Sequence, residues 1–250
     1  MRASTLGCRR SRACQGAALL LAALGCAASE SRADGAWSGT VAATTDYIFR
    51  GVSQTYDGAA LQAGLTYQSS SGWFVGTWGS NVDPYPFGAT AVELNLYGGF
   101  GWTVKDDWTV RVLYTHYLYA WDSRPSKYDY DELAVTVGFR DLLAATISYE
   151  PDNKGFSALG YYAHNRSTAA FELSGRWPLP HGIALQAGAG YYALHQLYGV
   201  NYWSGSVGAN YVHGRFELAV TRFFSGAVVA RLFEDASADG RWVVTGIWRF

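Results

Sequence analysis

Apolar and polar residues alternate one by one along many stretches of this chain. In V-E-L-N-L-Y-G-G-F-G-W (92–102), Val92 and Leu94 share one parity, while Glu93 and Asn95 share the other. The same alternation recurs in residues 132–140, 171–177 and 183–191. Because successive side chains of a strand point to opposite faces, each stretch predicts a strand with one apolar and one polar face. The fold is therefore predicted to be all-β.

Extended along the chain, the pattern predicts twelve strands. They lie near residues 37–52, 57–70, 72–83, 88–103, 107–121, 128–140, 142–151, 167–178, 182–193, 201–213, 214–224 and 239–250. Alternate connections are short, such as H-G (213–214), and the others are longer and richer in charge, such as 121–130. The stretch A-L-G-Y-Y-A-H (158–164) leaves a fourteen-stranded arrangement open. An even strand number with short turns on one side is typical of transmembrane barrels.

Two architectures bury such strands differently. A soluble sandwich turns the apolar face inward, whereas an outer-membrane barrel turns it toward lipid. The predicted strands are about ten to fourteen residues long, against about five or six in soluble proteins. Tryptophans lie near strand ends, where interfacial girdles form: Trp37, Trp73, Trp102, Trp108, Trp177 and Trp203. These features predict a transmembrane antiparallel β-barrel embedded in the lipid of the bacterial outer membrane.

The first 33 residues have the pattern of a secretory signal peptide. Four arginines precede an apolar run over 17–28, and S-R-A (31–33) follows it. A basic region, a short apolar run and a small-residue site are what a signal peptidase requires. We expect residues 1–33 to be removed and residues 34–250 to form the barrel. Lipoprotein processing at Cys26 is the alternative.

The final strand has an aromatic face. Trp242, Val244, Trp248 and Phe250 fall on one parity. In a closed barrel this strand pairs with the first, which leaves no edge unpaired. The four residues also resemble the C-terminal signature by which the barrel-assembly machinery recognises outer-membrane barrels, so this machinery is an expected partner.

Charge and cysteine content exclude several classes of function. Without residues 1–33, Lys+Arg falls from 19 to 14 and Asp+Glu from 20 to 19, so the net charge becomes about −5. That charge argues against nucleic acid as a partner. All three cysteines lie within residues 1–33. The remaining chain can therefore form neither a disulfide framework nor a thiol nucleophile.

Several segments resemble one family. T-T-D-Y-I-F-R-G-V-S-Q-T (44–55), A-L-Q-A-G-L-T-Y (60–67) and G-W-F-V-G-T-W-G-S-N-V-D (72–83) are similar to the TorF family of proteobacterial porins. The likeness covers most of the chain after residue 33 and is strongest over 43–150. Residues 153–166 have the position of an insertion. The resemblance implies a membrane barrel and a pore, with no known substrate.

No motif for an enzyme or a cofactor is evident. Among the histidines His116, His164, His181, His195 and His213, none has a serine and a carboxylate in a recognisable catalytic pattern. Clustered His or Cys metal ligands are lacking. Asp129, Asp131 and Glu132 offer oxygens for Ca²⁺ or simply begin a solvated loop. The glycines of G-G-F-G (98–101) lie inside a strand rather than in a phosphate-binding loop. We therefore predict no enzyme, no cofactor and no bound metal.

Charged residues on the polar parity are the candidate pore-lining residues. They are Asp46, Arg50, Glu93, Arg111, Glu132, Glu172, Arg176 and Glu217. Charges inside a membrane-spanning barrel are costly unless they are paired or hydrated. Two interpretations stay open: a network of ion pairs that fills the interior, or a charged constriction that selects solutes.

The predicted function is passive diffusion of small polar solutes or ions. A barrel of twelve strands lies between filled eight-stranded barrels and open sixteen-stranded channels. Five of the eight candidates are carboxylates, which favours cations. A closed structural or adhesive barrel that acts through its outer loops is the alternative, and an outer-membrane lipid-modifying enzyme is a more distant one.

Overall fold

The computed structural model describes residues 35–83, 91–105, 107–120, 129–153, 166–233 and 240–250. Nearly every element is a strand. The strands are β1 (Ala36–Thr44), β2 (Ile48–Phe49), β3 (Val52–Ser53), β4 (Ala60–Gln68), β5 (Trp73–Val82), β6 (Ala91–Val104), β7 (Trp108–Ala120), β8 (Tyr130–Phe139), β9 (Leu143–Asn153), β10 (Arg166–Pro178), β11 (Ile183–Ala193), β12 (Tyr202–His213), β13 (Phe216–Ser225) and β14 (Arg241–Arg249). Two short helices, α1 (His195–Tyr198) and α2 (Ala227–Phe233), lie between strands.

Twelve of these strands form one closed antiparallel barrel, while β2 and β3 pair only with each other. Each wall strand pairs with its neighbours in the chain. The barrel closes where β1 pairs with β14, from Thr40 opposite Arg249 to Thr44 opposite Thr245. The predicted twelve-stranded barrel is confirmed. The stretch 158–164, on which the fourteen-stranded alternative rested, lies outside the described residues.

The two faces of the wall divide as the alternation predicts. On β6, Glu93 and Asn95 are buried inside the barrel, whereas Leu94 and Leu96 are exposed on its outside. Exposed apolar and aromatic side chains recur on the outer face of the wall strands, which gives the barrel an apolar belt. Because such a belt is stable only in lipid, the fold and its surface are those of a bacterial outer-membrane protein.

The connections differ between the two ends of the barrel. One end has short turns, for example 140–142 and 214–215, and also holds the start of β1 and the end of β14. The other end has the longer connections. No helix among the described residues is long and apolar enough to cross a membrane.

The first predicted strand, 37–52, is wrong in its second half. The wall strand ends at Thr44, and the next one begins only at Ala60. The Thr44 hydroxyl donates to the carbonyl of Asp46 at 2.8 Å, which ends the extended run with a local turn. We call residues 45–59 the inner segment, because the chain there leaves the wall and enters the barrel.

Candidate functional site

The inner segment contains a small hairpin. Ile48 pairs with Ser53 and Phe49 with Val52, and Arg50 and Gly51 form the turn. Both turn residues have positive φ, 51° at Arg50 and 79° at Gly51. This is the signature of a type I′ turn, which matches the twist of its flanking strands. The hairpin therefore presents the Arg50 side chain at its tip.

Apolar contacts hold one side of the hairpin against the wall. Ile48 packs against Phe223 of β13 and Val243 of β14. Val52 belongs to a second buried cluster with inward residues of β10, β11 and β12 and with Val229 of α2. Because these partners belong to β10–β14, the hairpin lies against that half of the barrel wall.

Tyr47 packs against the opposite half. Its ring meets Trp78 of β5 edge-on, with centroids 5.4 Å apart. It also packs against the buried cluster formed by inward residues of β5, β6, β7 and β8. The inner segment thus contacts both halves of the barrel, so it crosses the lumen.

Arg50 is the charged centre of this crossing. Its guanidinium forms ion pairs with Glu132 of β8 and Glu150 of β9, and it donates to the Ser148 hydroxyl at 2.7 Å. The Arg50 side chain is only 11% exposed. The Tyr202 hydroxyl donates to its carbonyl at 3.1 Å. Two carboxylates around one buried guanidinium satisfy the requirement that buried charges be paired.

A second arginine fixes both ends of the inner segment. Arg241 of β14 forms ion pairs with Asp46 and with Asp57. The Asp46 carboxylate also accepts from the hydroxyls of Ser53 at 2.7 Å and Thr55 at 2.9 Å. Residues from the beginning and end of the segment are therefore tied to one strand of the wall.

The eight candidate residues have different surroundings. Arg50 and Glu132 come together, but Asp46 and Arg50 lie on the inner segment, so the interpretation that they share a face of one wall strand is wrong. Glu217 pairs with Arg249 at 2.6 Å. The remaining four face inward from wall strands. Glu93 accepts a hydrogen bond from Asn95, and Glu172 accepts one from Tyr192 at 3.1 Å. The Arg111 guanidinium lies 3.8 Å from the ring centroid of Phe74, and Arg176 stands opposite Gln186 on the inner face of β10.

Sequence reasoning missed four charged residues that take part in the ion pairs of the interior: Asp57, Glu150, Arg241 and Arg249. Glu150 shares the inward parity of Ser148 on β9, so the alternation rule could have found it. Arg249 likewise follows the parity of Thr245 and Ile247 on β14. Arg241 has the same parity, but its bond to Asp57 depends on the path of the inner segment, which no periodicity shows.

The inner wall toward the short-turn end carries side chains of mixed burial. Phe74, Ala184, Asn210 and Ala219 are buried, whereas several small or neutral inward residues are only partly buried. They include Gln62, Gly64, Thr136, Gly138, Gln186, Gly188, Ser206 and Gly208. The inner segment therefore narrows the lumen at its own level, and partly exposed inward residues remain beyond it.

The proposed calcium ligands do not converge. Asp131 points outward, where it bonds to His116 at 2.7 Å and to Tyr114 at 2.6 Å, whereas Glu132 points inward to Arg50. Asp129 accepts from the backbone of Tyr119 at 2.9 Å. Within the described ranges, no group of three or more His, Cys, Asp or Glu residues is placed to hold a metal ion.

Comparison with known families identifies the group to which the chain is related. A family model described as a bacterial protein of unknown function, Gcw_chp, matches residues 28–238. The chain belongs to this family. The match does not carry the TorF name, although the barrel that the TorF resemblance implies is the fold observed. A comparison of this chain with curated proteins finds no match.

Solved structures similar to this Gcw_chp barrel are porins and channels. The COG4313 outer membrane channel from Pseudomonas putida F1 has a TM-score of 0.55 and 12% identity, over 87% of this chain and 96% of that one. The KdgM porin has a TM-score of 0.51 and 9% identity, over 85% and 99%. A KdgM porin in complex with disordered oligogalacturonate has a TM-score of 0.53 and 8% identity, over 85% and 99%. At these identities the likeness shows the fold alone.

Proposed function

We propose that this protein is an outer-membrane channel through which small polar solutes or ions diffuse passively. The observation that carries the proposal is the constriction formed by Arg50 with Glu132 and Glu150, in a lumen where several small or neutral side chains stay partly exposed. Such a constriction sets an upper size limit and a charge filter at the same point. The eight charged candidates are proposed as residues that line or narrow this path.

The charge of the lumen favours cations. Its described carboxylates are Asp46, Asp57, Glu93, Glu132, Glu150, Glu172 and Glu217, against the arginines Arg50, Arg111, Arg176, Arg241 and Arg249. A lumen with an excess of carboxylates raises the local concentration of cations. We therefore propose a moderate cation preference for the wild-type channel.

The size of the solute follows from the constriction. The polar lining suits hydrated or hydroxylated molecules, and the similar KdgM porin was solved in complex with disordered oligogalacturonate. In this chain the inner segment crosses the lumen, so we propose that its solutes are smaller than oligogalacturonate. The chain is proposed to reach the outer membrane with its signal peptide, residues 1–33, removed.

Planar-bilayer recording of the purified protein tests the proposal. We expect discrete conductance steps and a reversal potential in a KCl gradient that indicates cation preference. In the double variant Glu132→Gln with Glu150→Gln, Arg50 loses both counter-charges, so the preference should shift toward anions. Asp107→Asn is the matched control, because Asp107 pairs with Arg140 in a turn outside the lumen.

A closed barrel that acts through its outer loops is the second candidate. The observation in its favour is the burial of the inner segment, including Asp46, Ile48 and Thr55. If this candidate is right, neither the wild type nor the double variant should show conductance steps after many insertions into the bilayer. That result would overturn the channel proposal.

A further inference from the structure

Glu93 is a carboxylate deep inside the wall of the barrel. It lies on β6 and is only 2% exposed. Its Oε1 accepts from the Asn95 amide at 2.8 Å and from the Tyr47 hydroxyl at 3.4 Å. Removing a carboxylate from water is costly, and two neutral donors compensate only part of that cost. A positive charge beside Glu93 would therefore stabilise its ionised carboxylate.

The described part of the chain does not supply that charge. None of the ion pairs within it includes Glu93. Arg50 is engaged by Glu132 and Glu150. Arg111, also on the inward face, stands opposite Gly101, eight positions along β6 from Glu93.

A second Glu–Asn pair in the same barrel shows what completes such a site. The Asn210 amide donates to Oε1 of Glu217 at 2.6 Å, just as Asn95 donates to Oε1 of Glu93. Glu217 is 4% exposed, and its Oε2 accepts from the guanidinium of Arg249 at 2.6 Å. The two sites thus have the same amide and the same carboxylate but differ in the cation.

Residues with oxygen-bearing side chains stand beside Glu93 in the sheet. The Asn95 side chain is 9% exposed, and its Oδ1, like that of Asn210 at the second site, is buried without a hydrogen-bond partner among the described residues. Ser80 of β5 and Tyr119 of β7 stand directly opposite Glu93 in the sheet. A carboxylate, an amide oxygen and hydroxyl oxygens are the ligands that hard cations prefer.

We propose that Glu93 and Asn95 bind a monovalent metal cation, Na⁺ or K⁺, in the wall of the barrel. The Glu93 carboxylate supplies the charge, and Asn95 Oδ1 with the Tyr47 hydroxyl supplies neutral oxygens. One carboxylate balances one positive charge, which favours a monovalent over a divalent ion. Through Tyr47, the ion would also hold the inner segment against β6.

Anomalous scattering from Rb⁺ or Tl⁺ locates such an ion directly. Crystals of the full-length protein, grown in Na⁺ and exchanged into Rb⁺ or Tl⁺ salt, should show an anomalous peak between Glu93 and Asn95. The Glu217–Asn210 pair should show none, because Arg249 already occupies the equivalent position. Glu93→Gln should abolish the peak, whereas Glu217→Gln should leave it unchanged.

Thermal unfolding in detergent provides the second measurement. Replacing choline chloride by KCl or NaCl at equal ionic strength should raise the wild-type Tm by about 2 °C or more, because an ion that binds only the folded state stabilises it. The increase should vanish in Glu93→Gln and persist in Glu217→Gln. Absence of both the peak and the cation-dependent shift would overturn the proposal and indicate a protonated Glu93. Neither measurement depends on whether the barrel conducts.

Discussion

Gly51, at the tip of the inner segment, lies directly against Ser204 of β12. A Cβ built on Gly51 would lie 2.4 Å from the Cβ of Ser204, and φ at Gly51 is +79°. Both the space and the backbone conformation therefore require glycine at this position. The contact fixes how deeply the hairpin enters the lumen.

Gly51→Ala should consequently displace the hairpin tip. We expect a loss of about 2–4 kcal/mol in the free energy of unfolding, from backbone strain and from overpacking together. Urea unfolding followed by tryptophan fluorescence measures it. Gly199→Ala is the control, because Gly199 has a similar φ of +74° but nothing within 4 Å of its Cβ position. Equal losses in the two variants would mean that the tip does not press on Ser204.

Removing the guanidinium of Arg50 should destabilise the barrel strongly. Arg50→Ala leaves Glu132 and Glu150 buried without their counter-charge, which costs about 3–5 kcal/mol for a buried pair. Arg140→Ala breaks an exposed pair with Asp107 and should change the unfolding midpoint little. Substituting Glu132 and Glu150 by Gln in the Arg50→Ala background should recover part of the loss. No recovery would contradict the assignment of the ion pairs.

The two faces of a wall strand should respond oppositely to a new cation. Leu173 of β10 is 57% exposed on the outer face, whereas its neighbour Ser174 faces the lumen. Leu173→Arg places a charge in lipid, at a cost of about 2–4 kcal/mol near mid-membrane. Ser174→Arg should be tolerated. The fraction of heat-modifiable, folded protein in the outer membrane measures both, and equal fractions would mean that the faces are reversed.

Loss of the proposed assembly signal should affect insertion into the membrane rather than stability. The backbone of Phe250 exchanges hydrogen bonds with Gly39, at 2.8 and 3.0 Å, and the residue continues the exposed aromatic face of β14. Phe250→Ala should slow insertion by the assembly machinery while leaving the unfolding midpoint of the folded barrel nearly unchanged. Pulse-chase assays of outer-membrane assembly separate the two effects. Leu179→Ala, in a turn at the same end, is the control and should insert at the normal rate.

Much of the wall could be predicted from the sequence, because lipid outside and water inside impose a period of two on every strand. The inner segment could not. Tyr47 and Phe49 continue the apolar parity of β1, and Asp46 and Arg50 the polar one, so the pattern extended the first strand to residue 52. Two details distinguish it in retrospect: Ile48 is an apolar residue on the parity of Asp46 and Arg50, and Arg50–Gly51 suits a two-residue turn.

The candidate site was predictable only as a set of inward charges. Parity placed Glu93, Glu132 and Glu217 correctly inside the barrel, and it applies equally to Glu150. The ion-pair partners of these residues could not be predicted. Arg50 and Glu150 are separated by 100 positions of sequence, and Arg241 and Asp46 by 195. Such pairs depend on the path of a segment that crosses the barrel, not on the register of neighbouring strands.

The ion pairs of Arg241 with Asp46 and Asp57 also link the position of the inner segment to the closure of the barrel. Asp46 and Asp57 are translated early and emerge first, whereas β14 is translated last. Until β14 joins β1, Asp46 and Asp57 have no Arg241 with which to pair, and Ile48 of the hairpin lacks its contact with Val243. Closure of the wall and the anchoring of both ends of the inner segment therefore depend on the same strand.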